Sequence, residues 1–196
     1  MTFRFKVHLI AYVLIIIFMA GCSPSVVKTV VPLSRENYVS QINPDDYKEI
    51  RGKRILFHGI TDESTNTSNF FYYDPARTVG YQLYFSIPEK GMPQPLISFF
   101  WYALQKGFER AGLIIEDTSP TFDAELLMTI RSLTDREINF DVQLKGKTEL
   151  IYEKKYVVTT PDLETTDKFF LEKRAYGMLD SIVKTVLDDP DFKKIN

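Results

Sequence analysis

Ile97, Phe100, Trp101, Leu104, Phe108 and Ala111 recur at helical spacing and form one wide apolar stripe. The spacing predicts a helix over 96–111, with Pro95 suited to its start and Gly112 to its end. Ala175, Met178, Leu179, Ile182, Val183 and Val186 draw a second stripe and predict a helix over 168–188, which Pro190 cannot continue. Between them, Phe140, Val142, Leu144, Gly146, Thr148 and Leu150 alternate with Asp141, Gln143, Lys145, Lys147 and Glu149. That alternation predicts a strand over 140–150, apolar on one face and wet on the other, as in an antiparallel sheet. Ala124, Leu126, Met128 and Ile130 predict a partner strand over 122–133, with its turn at 134–136. A second turn is expected at 152–154 and a third strand over 155–160.

The weaker signals lie earlier. Residues 54–60 read as a strand, which puts His58 on one face with Leu56 and Ile60. Residues 61–69 are all Asp, Glu, Ser, Thr or Asn and predict an exposed loop. The runs 70–73 and 81–87 are aromatic and strand-prone, separated by an Asp74-Pro75 turn. Pro88, Pro93 and Pro95 make 88–95 a loop, and 113–115 is a short strand. Two helices with one apolar face each can cover one face of a mainly antiparallel sheet of four to six strands. The fold class expected is therefore α+β, a two-layer sandwich. The single domain should span 51–190, with 191–196 as a tail. Residues 22–50 hold Pro24, Pro32 and Pro44 without a sustained period and read as a tether, with a turn of helix near Pro44-Asp45-Asp46. A flexible chain of that length reaches about 30 Å, less if part of it packs.

The N-terminus carries a different pattern. Arg4 and Lys6 precede an apolar run of 12 residues, Leu9 to Ala20, interrupted only by Tyr12. A bilayer core needs about 17–25 apolar residues, so the run suits the core of a secretion signal over 1–21. It ends in Met19-Ala20-Gly21-Cys22, and Cys22 is the only cysteine of the chain. Met19-Ala20-Gly21-Cys22 resembles the lipobox of bacterial lipoproteins, with Met19 where Leu is usual. The resemblance implies diacylglyceryl transfer to the Cys22 thiol, cleavage after Gly21, and further acylation of the new amino terminus. Ser23 in place of Asp implies the outer membrane, facing the periplasm, in a host with two membranes.

Composition narrows the chemistry. Charged residues are 26% and apolar ones 44%, an ordinary globular balance. The formal charge is −2, with no basic stretch to attract nucleic acid. One Cys excludes an internal disulfide and a Cys-based zinc site. Asp45-Asp46, Glu116-Asp117 and Asp188-Asp189 are adjacent pairs, which diverge on helices and strands and do not share a metal well. His58 is the one His beyond the signal segment, and no nucleophile motif accompanies it. No catalytic residue, metal ligand or cofactor is expected. Aromatics reach 14%. Phe100 and Trp101 belong to a core stripe, whereas Phe99 and Tyr102 fall on another face of that helix. Phe70, Phe71, Tyr72 and Tyr73 cannot all point inward from one strand. These six are the candidates for a contact surface.

The layout of residues 50–188 resembles the ABC-type transport auxiliary lipoproteins. The similar stretches are the opening strand at 54–60, Trp101-Tyr102-Ala103-Leu104, Asp123-Ala124-Glu125-Leu126-Leu127-Met128, and the closing helix. The lipopolysaccharide-assembly lipoprotein has a similar layout, and the 61–69 loop and 73–95 segment depart from the transport pattern. The resemblance implies a membrane-anchored, non-enzymatic accessory subunit of an envelope transport or assembly complex, held by the lipid on Cys22 and meeting an envelope protein partner. The other function class is a small module that binds lipid or another ligand between sheet and helices.

Overall fold

The structure, a computed structural model, describes residues 29–64, 67–68, 71–74, 79–83, 96–134, 136–161 and 167–195. Cys22 and its preceding residues Met19, Ala20 and Gly21 lie outside these, as does Phe70. The strands are β1 (Thr29–Leu33), β2 (Arg54–Leu56), β3 (Ile60–Asp62), β4 (Thr67–Ser68), β5 (Phe71–Asp74), β6 (Val79–Leu83), β7 (Ile114–Glu116), β8 (Ala124–Leu133), β9 (Glu137–Lys145) and β10 (Leu150–Thr159). Two α-helices accompany them, α1 (Leu96–Ala111) and α2 (Lys168–Leu187). A 3-10 helix forms at Pro44–Ile50 and another at Phe192–Lys194.

The expected α+β architecture is present. β8, β9 and β10 form an antiparallel meander whose apolar cross-strand neighbours include Leu126 with Leu144, Met128 with Val142 and Ile130 with Phe140. All six of these are buried. The Phe140 and Tyr156 rings stack at 5.4 Å. The sheet continues from β8 to β2 and β7, in the order β10-β9-β8-β2-β7, with β3 also on β8. These added pairings are parallel, which the reading of a mainly antiparallel sheet did not include. β2 reaches β7 through a long connection that contains α1, as parallel neighbours require. α2 starts at Asp167, whose carboxylate accepts from Phe169 N–H, and ends where Asp188 N–H donates to the Lys184 carbonyl.

One turn stands elsewhere than expected. The meander turns at 146–149, where Gly146 N–H donates to the Glu149 carbonyl at 2.8 Å, and β10 runs unbroken through 152–154. The apolar alternation had continued through small Gly146 and Thr148, which carry the turn. β4, β5 and β6 join β1 in a second sheet, ordered β1-β6-β5-β4. The backbone at Phe71, Tyr72 and Tyr73 lies in β5, and their side chains lie outside what the structure describes.

Two expected flexible ends are part of the fold. Residues 29–50 are no tether: β1 pairs in parallel with β6, and Val31, Leu33, Tyr38, Ile42, Tyr47 and Ile50 are buried in the common core. The turn of helix expected near Pro44 is real, with the Asn43 side chain accepting from Asp45 N–H. Of the 191–196 tail, the described residues 191–195 likewise pack. Phe192 is fully buried and stacks on Phe108 at 6.3 Å, and Ile195 is buried.

Candidate functional site

Residues 34–42 run against α2 between Glu172 and Asp180, and polar side chains fasten them there. Asp180 of α2 accepts from Tyr38 Oη at 2.8 Å, Ser40 Oγ at 3.0 Å and Gln41 N–H at 3.2 Å. One turn earlier, Tyr176 Oη accepts from Ser34 N–H at 3.1 Å and donates to Glu172 Oε1 at 2.6 Å. Glu172 also accepts from Asn37 Nδ2 at 3.1 Å. Burial, followed by the charge of Asp180, raises the Tyr38 phenol well above its ordinary range; burial and the Glu172 hydrogen bond do the same to Tyr176. Both phenols therefore stay protonated and serve as donors.

Beside this seam lies an open groove of about 720 Å³, lined by Val39, Phe169, Glu172, Lys173, Tyr176 and Asp180 among others. Val39, Phe169 and the neighbouring Phe170 are each more than half exposed. The Phe169 and Phe170 rings meet edge to face at 5.7 Å, and Lys173 Nζ sits 4.3 Å over Phe169. Exposed large side chains gathered at one groove suit contact with another molecule better than isolated ones do. Removing the seam's acceptor tests its strength. Asp180→Ala is expected to cost about 2–3 kcal/mol, since it orphans three donors to a charged group. It should also open 34–42 to protease, and a melting curve and nicking pattern unchanged from wild type would refute the assignment.

The expected contact residues on α1 part company here. Phe99 is a correction: it is fully buried, its ring 6.1 Å from Tyr38 and 5.9 Å from Tyr176. Tyr102 is half-buried, with the Arg35 guanidinium 4.8 Å over its ring. The second aromatic face of α1 is covered by the segment read as a tether. No surface at Phe99 is left to offer a partner. The sequence pattern does not mark Val39 or Asp180 as site residues. The one sequence signal was the pair Phe169-Phe170, which sits off the α2 stripe.

Two other clusters carry charge. His58 lies just past β2 and is half exposed, with Nε2 4.0 Å from Glu125 Oε1. Among the described residues no group of three His, Cys, Asp or Glu could hold a metal. No helix among them is long and apolar enough to cross a membrane. At the end of α2, Lys154 Nζ bridges Asp189 and Asp191, each at 2.6 Å, and Tyr156 Oη donates to Asp189 at 2.7 Å. Hydrogen bonds from Lys154 and then Lys194 pull the Asp191 carboxyl down from 3.8 to about 2. A carboxyl held low in the folded state stabilises above its unfolded value and loses that stability as pH falls through its folded value. Its contribution should therefore fade between about pH 4 and 2. Acid titration of unfolding should be shallower there for Asp191→Asn, and identical curves would show that the Lys154–Asp191 pair adds no stability.

No protein-family model and no curated protein matches the chain. The fold is similar to the crystal structure of protein XCC0632 from Xanthomonas campestris, described under the family model DUF330. That likeness has a TM-score of 0.57 at 8% identity and covers 83% of this chain and 95% of that one. The hypothetical protein CT253 from Chlamydia trachomatis matches at a TM-score of 0.40 and 10% identity, over 69% of this chain and 96% of that one. What the Xanthomonas comparison establishes is a shared α+β fold.

Proposed function

We propose that this chain is a lipid-anchored envelope protein, cleaved after Gly21, acylated on Cys22 and held at the outer membrane facing the periplasm. In this reading it is a non-enzymatic accessory subunit of an envelope transport or assembly complex. The observation that carries the subunit role is the pair of exposed side chains Val39 and Phe169 lining one groove, with exposed Phe170 packed against Phe169. The incorporation of 29–50 into the domain adds a geometric reason. Six residues separate Cys22 from Thr29, and even fully extended they reach only about 25 Å. A groove built from residues 37–41 on so short a leash is presented to a partner in or near the same membrane.

The anchor is tested by Cys22→Ala with an alkyne fatty acid fed to the cells. Wild type should take up label and sediment with membranes; the variant should do neither, while keeping its fold because residue 22 precedes the first strand. Label on the variant, or none on wild type, defeats the lipoprotein reading. The partner is tested by a photoreactive residue at position 169 of the full chain. It should capture an integral envelope protein, and Val39→Asp should suppress that adduct. No adduct, or one indifferent to Val39→Asp, defeats the docking reading.

The groove also exceeds the roughly 300 Å³ expected of a ligand site, which favours the second function class, a ligand-binding module. Its lining argues for a protein occupant: Glu172, Lys173 and Asp180 stand among the apolar side chains, where an acyl chain would strip their water without replacing it. Native mass spectrometry of protein purified from cells separates the two, since a lipid-sized adduct would support the module.

A further inference from the structure

β10 ends the large sheet. It pairs with β9 on one side, and among the described residues no strand lies on the other. It is ten residues long, without proline, and its register with β9 is uninterrupted from Tyr152 to Thr159. Long regular edges invite another strand, and proteins usually blunt them. Leu150 and Val157 are moreover 51% and 59% exposed. From Tyr152 onward, past a bulge at Ile151, even-numbered residues face the helices, where Tyr152 and Val158 are buried; odd-numbered Glu153, Lys155 and Val157 point to the open face.

We propose that β10 is a self-association edge, pairing antiparallel with β10 of a second copy about a two-fold axis at Lys154. The argument is the complementarity of the strand with its own reverse. In that register Glu153 of each copy stands opposite Lys155 of the other, giving two opposite-charge pairs on the open face. Tyr152 stands opposite Tyr156, and Ile151, at the bulge that ends the regular register, comes next to Val157. The exposed Val157 thereby gains an apolar neighbour. Lys154 meets its own counterpart on the axis, but each copy already holds that ammonium between Asp189 and Asp191. An axis at residue 153 would set Ile151 against Lys155, and one at 155 would set Lys155 against itself and Glu153 against Val157. An axis between residues would pair helix-side with open-side positions and split the helical layers to opposite faces. Two six-stranded sheets would then continue into one, with an isologous interface. This surface shares no residue with the groove.

The test uses the full chain, purified in detergent with its N-terminus intact, and reads its mass by sedimentation and light scattering. Wild type should dimerise in the micromolar range. Glu153→Lys puts two lysine pairs across the axis and Lys155→Glu puts two glutamate pairs there; each should weaken association roughly tenfold or more. Mixed together, the two variants again set Lys against Glu at both places, and the mixture should recover wild-type affinity. Recovery also shows that neither variant is simply misfolded. A monomeric wild type overturns the proposal, as does either variant associating as tightly as wild type or a mixture that stays monomeric.

Discussion

Phe99→Ala should lower the stability of the domain by about 3–5 kcal/mol, the range for removing a fully buried aromatic side chain. On a protein stable by about 5–15 kcal/mol that is a large fraction, and the melting temperature should fall by roughly 2–4 °C for each kcal/mol. The size follows from what the ring touches. It lies against Tyr38 from the N-terminal segment and Tyr176 from α2, so its removal leaves a cavity where three separate parts of the chain meet. The seam above it should loosen too, because Tyr38 loses the surface that orients its hydroxyl toward Asp180. Chemical denaturation of wild type and variant measures the loss. A change below about 1 kcal/mol would mean that the ring is exposed and belongs to a contact surface after all.

That residue also shows where the sequence was readable and where it was not. The α1 and α2 stripes are legible because one helix buries one face, and 3.6-residue periodicity records it directly. The meander is legible for the same reason at a period of two. Phe99 and Tyr102 carried a true signal, an apolar second face on α1, but periodicity does not name what covers a face. The cover is residues 34–42, which anchor through single side chains, Tyr38 and Ile42, on an irregular backbone. Such a segment buries its residues at no constant spacing and so looks like a tether. The parallel pairings of β2 and β3 escaped because three-residue strands hold too few positions to show alternation. The groove was illegible for a related reason. It joins residues 37–41 with 169–180, and the hydrogen bonds that close it link positions some 140 apart.

Gly107→Leu should be the other severe substitution, costing about 3 kcal/mol or more, because α1 and α2 approach each other at this glycine. A Cβ placed on Gly107 would stand 2.6 Å from Val183 Cγ2, 3.1 Å from its Cγ1 and 3.2 Å from its Cβ. Those atoms cannot simply swing away. Val183 is fully buried, and a β-branched side chain in a helix has essentially one χ1 rotamer. Relief requires the helices to separate, which opens the well-packed core around Leu104, Phe108, Leu179 and Val186. Gly107→Ala sets two effects against each other. Replacing glycine in a helix gains about 1 kcal/mol of propensity, and overpacking costs about 1–3 kcal/mol. At 2.6 Å the clash should win, for a net loss of about 1–2 kcal/mol. Trimming the opposing side chain separates the terms: Val183→Ala in the Gly107→Ala background frees the space the new methyl needs. The double variant should therefore be more stable than the sum of the two single losses, by a coupling of about 1–2 kcal/mol. Denaturation of all four proteins measures this cycle, and Gly107→Ala emerging more stable than wild type would show that the helices have room to spare.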